Sequence, residues 1–398
     1  METNRVDGLL VMHPSNNLNY AIGADSLWSY ISCLVPGFVF PLSAIFPKGE
    51  EPVVLCADWG VETLRQETWI HDIRGVKSWI YFEKRAQLVR ESEKIDSKPE
   101  QFDLFSVLAD ALRDKGLLKG RLGVELDTLP VSTYQRIKGA VPAAEIVDVS
   151  TPPMSSSTLW WQMRMMKSED EIDKLRTSAE IAEAGIKVAV DVASEALEKD
   201  VTELDVFRAY NRAVIDLDGI PRLGTWGTGE RSGGAHLSPS SRVLKEGDIL
   251  RLDCGAIYKG YSADICRTFV VGKPTEHASK LYNALQVAQR KVREAMKPGV
   301  KFSDLFLIGQ STVRELGFPQ YSRGHLGHSI GLGGEEPPFV SAQENLALQP
   351  GMVLAAELSY YVIGAYGMNI EDNVLVTENG VENLSKLPRE LVSVPTRK

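Results

Sequence analysis

Over residues 6–150, short apolar runs alternate with segments of helical period. Leu9-Leu10-Val11-Met12, the run 33–46, Pro52-Val53-Val54-Leu55, Leu122-Gly123-Val124-Glu125 and Glu145-Ile146-Val147-Asp148 read as strands, with helices over 105–115 and after Ser132. Such alternation predicts an α/β layer. The polar, proline-containing segment 150–157 breaks the pattern and marks a boundary, giving domains over 1–155 and 156–398. A different order follows. Ser168-Glu169-Asp170-Glu171 predicts a capping box opening a long amphipathic helix to about residue 196, and Thr202 caps another to about 217. A second helix pair is predicted over 276–296 and 303–316, and each pair precedes an acid-bearing hairpin. This weak internal duplication predicts an α+β layer in which helices cover one face of an antiparallel sheet and the acids lie on the other.

The first hairpin runs over 249–269, with its turn at Lys259-Gly260. A turn centred on Tyr258 and Lys259 would make Asp253 and Asp264 cross-strand partners. In the second hairpin, over 353–376, Glu357 and Glu371 are symmetric about Gly364. Between the hairpins, Gly324-His325-Leu326-Gly327-His328-Ser329-Ile330-Gly331 surrounds an imidazole with small residues. Carboxylates gathered on an apolar sheet repel one another unless a cation or a proton lies between them.

Composition narrows the class. At 398 residues two domains are expected, and 43% hydrophobic with 24% charged residues is ordinary for a globular chain. A net charge of −9 without a long basic run argues against a nucleic-acid partner and for a small substrate. The start is acidic and polar, and no apolar segment is long enough to span a bilayer, so no membrane partner and a cytoplasmic setting are expected. Cys33, Cys56, Cys254 and Cys266 show no Cys-x-x-Cys spacing, which fits a reducing compartment.

Asp253, Asp264, His328, Glu357 and Glu371 form an oxygen-rich donor set with one imidazole, suited to Mn²⁺, Fe²⁺, Co²⁺ or Zn²⁺. Four carboxylates exceed the charge of one divalent ion, so two ions are expected, manganese first. Glu357 is the expected proton acceptor beside the attacking water. His236, in the Gly/Ser-rich loop 229–239, is the expected proton donor to the leaving nitrogen. His325 is read as a partner of His328 or a turn residue, and His13, His71 and His277 receive no role.

These residues resemble the pita-bread-fold metallopeptidases, in the branch of Xaa-Pro dipeptidases, Xaa-Pro aminopeptidases and creatinase. The likeness is carried by Asp253-Cys254-Gly255, Gly260-Tyr261 with Asp264-Ile265-Cys266-Arg267-Thr268, Gly327-His328-Ser329-Ile330-Gly331-Leu332, Glu357 and Ile370-Glu371-Asp372, all in family order. It implies a C-terminal pita-bread catalytic domain behind a smaller α/β domain. It also implies that Asp253 binds one metal, Asp264 and Glu371 bridge both, His328 and Glu357 complete the other site, and His236 stands beside the substrate. A homodimer is implied too. The chain departs from the peptidase pattern at Glu335, where a second histidine is usual, at Leu358-Ser359 after Glu357, and at Cys266.

The expected activity is two-metal hydrolysis of a peptide C–N bond in a short Xaa-Pro substrate. Glu335 and His325 are candidate substrate contacts. Glu335 also favours a second reading, a metal-dependent hydrolase of a small amide or amidino compound like creatine. A non-catalytic binding protein is the third reading, disfavoured because such a protein has no reason to hold four acids together.

Overall fold

The computed structural model describes residues 5–12, 15–24, 42–77, 103–150 and 158–394, with the side chains of Asn16 and Leu223 left out. By internal contacts the chain divides into two compact units, Met1–Pro153 with Ser157–Trp160, and Met154–Ser156 with Trp161–Lys398.

In the first unit, β1 (Gly8–Met12), β2 (Ser43–Pro47), β3 (Val53–Ala57), β4 (Asp72–Val76), β5 (Arg121–Val124) and β6 (Glu145–Asp148) form one mixed sheet in the order β4-β3-β2-β1-β5-β6. Helices α1 (Asn16–Ile22), α2 (Val61–Glu67), α3 (Leu104–Asp114) and α4 (Val131–Ala140) accompany it. Alternate residues of β1 enter different clusters, Leu10 and Met12 with Leu108 and Ile137, Leu9 and Val11 with Ile22 and Leu64. Both faces of the sheet are therefore covered, which is why its strands read as continuous apolar runs. The predicted strands and the helices at α3 and α4 are present within a residue or two. Part of the run 33–46 and the linker 151–157 lie outside the described residues, as does His13.

The second unit opens with α5 (Leu159–Met165), which begins in the first. Then come α6 (Glu169–Ala193) and α7 (Glu203–Ile215), capped by Ser168 and Thr202 through complete capping boxes. The strands are β7 (Ile220–Thr228), β8 (Ile249–Tyr258), β9 (Tyr261–Ser262), β10 (Ile265–Val271), β11 (His328–Ser329), β12 (Glu336–Phe339), β13 (Val353–Val362), β14 (Tyr366–Thr377), β15 (Gly380–Asn383) and β16 (Val392–Val394). Helices α8 (Glu276–Ala295) and α9 (Phe302–Glu315) separate the two hairpins. The main path of the sheet is β12-β11-β13-β14-β10-β8-β7.

The predicted division of faces is present. Leu250, Leu252 and Cys254 of β8 pack with Ile186 and Tyr210 of α6 and α7, and Leu354, Ala356 and Leu358 of β13 pack with Leu285 and Phe302 of α8 and α9. The strand period of two then turns Asp253 and Glu357 to the opposite face. One expectation fails. Lys259 and Gly260 both take positive φ, as a two-residue hairpin turn demands, so the turn is centred one position later than symmetry of the two acids requires. Asp253 consequently faces Cys266, and Asp264 sits diagonally in the break between β9 and β10.

Candidate metal centre

The ladder aligns the acids. Asp253 of β8 pairs with Cys266 of β10, Cys266 with Glu371 of β14, and Glu371 with Glu357 of β13. Directly opposed residues share a face, so three acids stand in one row across four strands with only a small thiol among them. His328 pairs with Ala355, two positions from Glu357 and therefore on the same face. Gly327 delivers it. With φ of 135° and a notional Cβ only 2.3 Å from the Ala355 carbonyl oxygen, position 327 admits no side chain.

All eight residues singled out from sequence line one cavity of about 450 Å³, which opens among Asp253, Asp264, His328, Glu357, Glu371, His236, His325 and Glu335. Ligand atoms of Asp264, His328 and Glu371 lie within 4.8 Å of one another. His328 Nε2 is 3.8 Å from Asp264 Oδ2 and 3.7 Å from Glu371 Oε1. Its Nδ1 lies 3.0 Å from the Ser329 carbonyl oxygen, which can only accept, so Nδ1 donates there and Nε2 is the ring nitrogen turned to the acids. Asn373 fixes Asp264 by bonding its backbone N–H at 3.0 Å and its carbonyl at 2.8 Å. Two oxygens and a nitrogen, buried and convergent, fit a divalent cation.

Asp253 and Glu357 are held differently. Thr225 donates to Asp253 at 3.0 Å, while Arg323 Nη2 and His325 Nδ1 each lie 3.3 Å from Glu357 Oε1. His325 Nδ1 also accepts the Gly327 N–H at 3.4 Å, which ties the ring to its own turn. Burial, Arg323 and His328 together push its imidazole down to about 4, so it is neutral near pH 7. His236 is exposed on its loop, whose Gly234 and Ala235 carbonyls accept from Arg251 at 2.6 and 3.0 Å. Glu335 is exposed at the rim.

The sequence reading missed the arginines. Arg222 pairs with Asp264, Arg323 with Glu357, and Arg251 Nη1 is 3.9 Å from Asp253 Oδ2. Part of the charge that was expected to come from ions alone thus comes from the chain itself. Arg222 lies on a strand interrupted by Pro221 and Gly224, and Arg323 lies in an irregular loop. Neither carried a periodic signal.

Burial first, then Asp264, pushes the Asp253 carboxyl up to about 6, with Arg251 opposing. Burial likewise raises Glu357 against Arg323, and burial with Asp264 raises Glu371. In the metal-free chain these carboxyls contribute stability that grows as the pH falls through about 6 towards the ordinary carboxylate range, because in the fold they hold protons that the unfolded chain releases. That gain is lost as pH rises. A divalent ion needs the ionised carboxylates, so its stabilising effect runs the other way. Melting curves with and without MnCl₂ should show a larger metal-induced rise at about pH 8 than at about pH 5.5. An equal rise at both would mean that these acids are not the ligands.

Comparison with known proteins agrees with this geometry. Residues 173–378 match the model of metallopeptidase family M24, and residues 1–166 match the creatinase/prolidase N-terminal domain. A fold and cavity of this kind define a metal-dependent hydrolase. The chain belongs to metallopeptidase family M24, and its pita-bread fold is the one the motifs implied. Over 234 residues it is 34% identical to the Xaa-Pro dipeptidase of Pyrococcus horikoshii, a stretch covering 58% of this chain and 65% of that relative. The solved prolidase from the same organism superposes with a TM-score of 0.76 at 27% identity, over 98% of this chain and 97% of that one. An Xaa-Pro dipeptidase from Bacillus anthracis shares the fold, with a TM-score of 0.77 at 24% identity over 98% of this chain and 96% of that one. Among the described residues no helix is long and apolar enough to cross a membrane.

Proposed function

We propose that the chain hydrolyses the C–N bond of short Xaa-Pro peptides in this cavity. The observation that carries the reading is the convergence of Asp264, His328 and Glu371 ligand atoms within 4.8 Å, in a cavity that also holds Asp253, Glu357 and His236. Asp264, His328 and Glu371 would hold a divalent ion, with Asp253 and Glu357 as the remaining donors; the oxygen-rich set favours manganese. Such an ion, when bound, supplies Lewis acidity to the scissile carbonyl and makes a nearby water more acidic.

The chain supplies the proton traffic. Glu357, raised by burial, accepts the proton of the attacking water. His236 donates a proton to the departing nitrogen, so water and amide become carboxylic acid and amine. Arg251, through the Gly234 and Ala235 carbonyls, holds the loop that presents it. The names of the relatives support a dipeptide substrate.

Exposed Glu335 supports the second reading, a small amide or amidino compound, because a carboxylate at the rim attracts a cationic substrate and repels a peptide carboxylate. The same proposal includes a catalytic domain over 156–398 behind an N-terminal domain over 1–155. It also includes a homodimer and a cytoplasmic setting, supported by the family likeness and the unpaired Cys56, Cys254 and Cys266.

Metal-free protein restored with Mn²⁺ and offered Xaa-Pro dipeptides, longer peptides and creatine should cleave the dipeptides, and only with metal. Turnover of creatine alone would favour the second reading. Cleavage of none, with metal bound, would remove the peptidase assignment.

A further inference from the structure

We infer that Arg222 is a fixed cation in the place a second metal ion would take, so that the centre holds one divalent ion per chain. The inference rests on the reading of this cavity as a metal centre, and concerns how many ions it takes.

Backbone placement comes first. Arg222 pairs with Gly255 and Thr225 with Asp253, so β7 spends one more residue than β8 between these two pairs. Residues three apart on a regular strand point to opposite faces; the extra residue lets both Arg222 and Thr225 line the cavity. The guanidinium then pairs with Asp264 Oδ2 and donates to the Ala263 carbonyl at 3.4 Å. Asp264, Glu371 and Asp253 all act on it electrostatically. These are the carboxylates that the family likeness gives to one of the two expected ions, and an arginine already stands among them.

The loop before β12 is shaped around that side chain. A notional Cβ at Gly334 would lie 2.3 Å from both Cζ and Nη2 of Arg222. No side chain can stand at 334 while the guanidinium keeps its place. The slot is therefore built from two sides, the bulge of β7 and the bare backbone of 334.

Donor grouping agrees. The atoms within 4.8 Å of one another belong to Asp264, His328 and Glu371, and Asp253 is not among them. Charge points the same way. In the buried part of the cavity Asp253, Asp264, Glu357 and Glu371 supply four negative charges, and Arg222 and Arg323 in its lining with Arg251 beside Asp253 supply three positive ones. One divalent ion leaves a single positive charge, whereas two would leave three uncompensated positive charges there.

The test is the stoichiometry of manganese on the whole chain, stripped of metal and titrated with MnCl₂. Isothermal titration and elemental analysis should give one ion for the wild type, one for Arg222→Lys and two for Arg222→Ser. The electron paramagnetic resonance spectrum should be that of an isolated Mn²⁺ in the wild type and of an exchange-coupled pair in the serine variant. Two ions on the wild type would overturn this inference and leave the metal-centre reading standing. No ion on the wild type would overturn both. One ion on a folded Arg222→Ser chain would show that Arg222 does not set the count. If the serine variant does not fold, the wild-type count and spectrum still decide.

Discussion

Glu371→Gln loses its metal and its activity while its metal-free fold becomes more stable. Glu371 is 3% exposed, its Oε1 lies 3.7 Å from His328 Nε2, and Asn369 Nδ2 donates to its other oxygen at 3.3 Å. Glutamine keeps the shape and most of these contacts but removes the charge. A donor that contacts the ion directly should cost more than the 10–100-fold typical of residues one shell further out, so kcat/KM and metal affinity are expected to fall by at least ~100-fold. Without metal the sign reverses. Burial and the neighbouring Asp264 already raise the Glu371 carboxyl, so replacing it with a neutral amide relieves repulsion. Elemental analysis and melting in a chelator check the two halves separately. Full metal content in the variant would remove Glu371 from the donor set, and a lower metal-free melting temperature would show that its charge is not under strain.

The second large effect is expected at Arg267, behind the centre. This side chain is 1% exposed and every N–H of its guanidinium has an acceptor. Nε donates to the Pro388 carbonyl at 2.8 Å, Nη1 to the carbonyls of Cys266 at 2.9 Å and Glu371 at 2.6 Å, and Nη2 to Asp372 Oδ1 at 2.5 Å and the Leu387 carbonyl at 3.1 Å. Burial alone would raise Asp372, yet Arg267 and Arg389 hold it below the usual carboxylate range. Arg267→Met therefore leaves several carbonyls unmet and weakens the compensation of a buried charge, at a cost of about 3–5 kcal/mol. Arg267→Lys should recover little, since an ammonium has three donors and no planar fork. Denaturant melts of both variants test this; a lysine variant as stable as the wild type would show that the fork geometry is dispensable. Metal affinity should fall alongside stability, because Arg267 ties the backbone of Glu371 to that of Cys266.

Much of this architecture is legible in residue order, for local reasons. Ser168 and Thr202 announce helix starts because capping is a short-range hydrogen bond between a side chain and the first turn. The partnership of Glu357 and Glu371 follows from symmetry about Gly364, since the strands on either side are long and regular. The same argument misplaced Asp253 against Asp264, because two acids cannot reveal where a turn is centred and the positive φ of Lys259 can. Contacts between hairpins were beyond reach. Their ladders meet in one register pair, Cys266 with Glu371, and β11 is only two residues long, too short to show a period. Arg222 was hidden for the converse reason: its role comes from a bulge and an opposing glycine, and neither is written in its neighbours.

Most of the donors stand on strands of one sheet, whereas Ser322, Arg323, Gly324 and His325, together with His236 and Glu335, reach the cavity from connections between elements. Chemistry and choice of substrate are thus built on materials of different stiffness. Descendants of this chain could exchange their connecting segments, and with them the molecules they accept, without disturbing the ladder that spaces the proposed ligands.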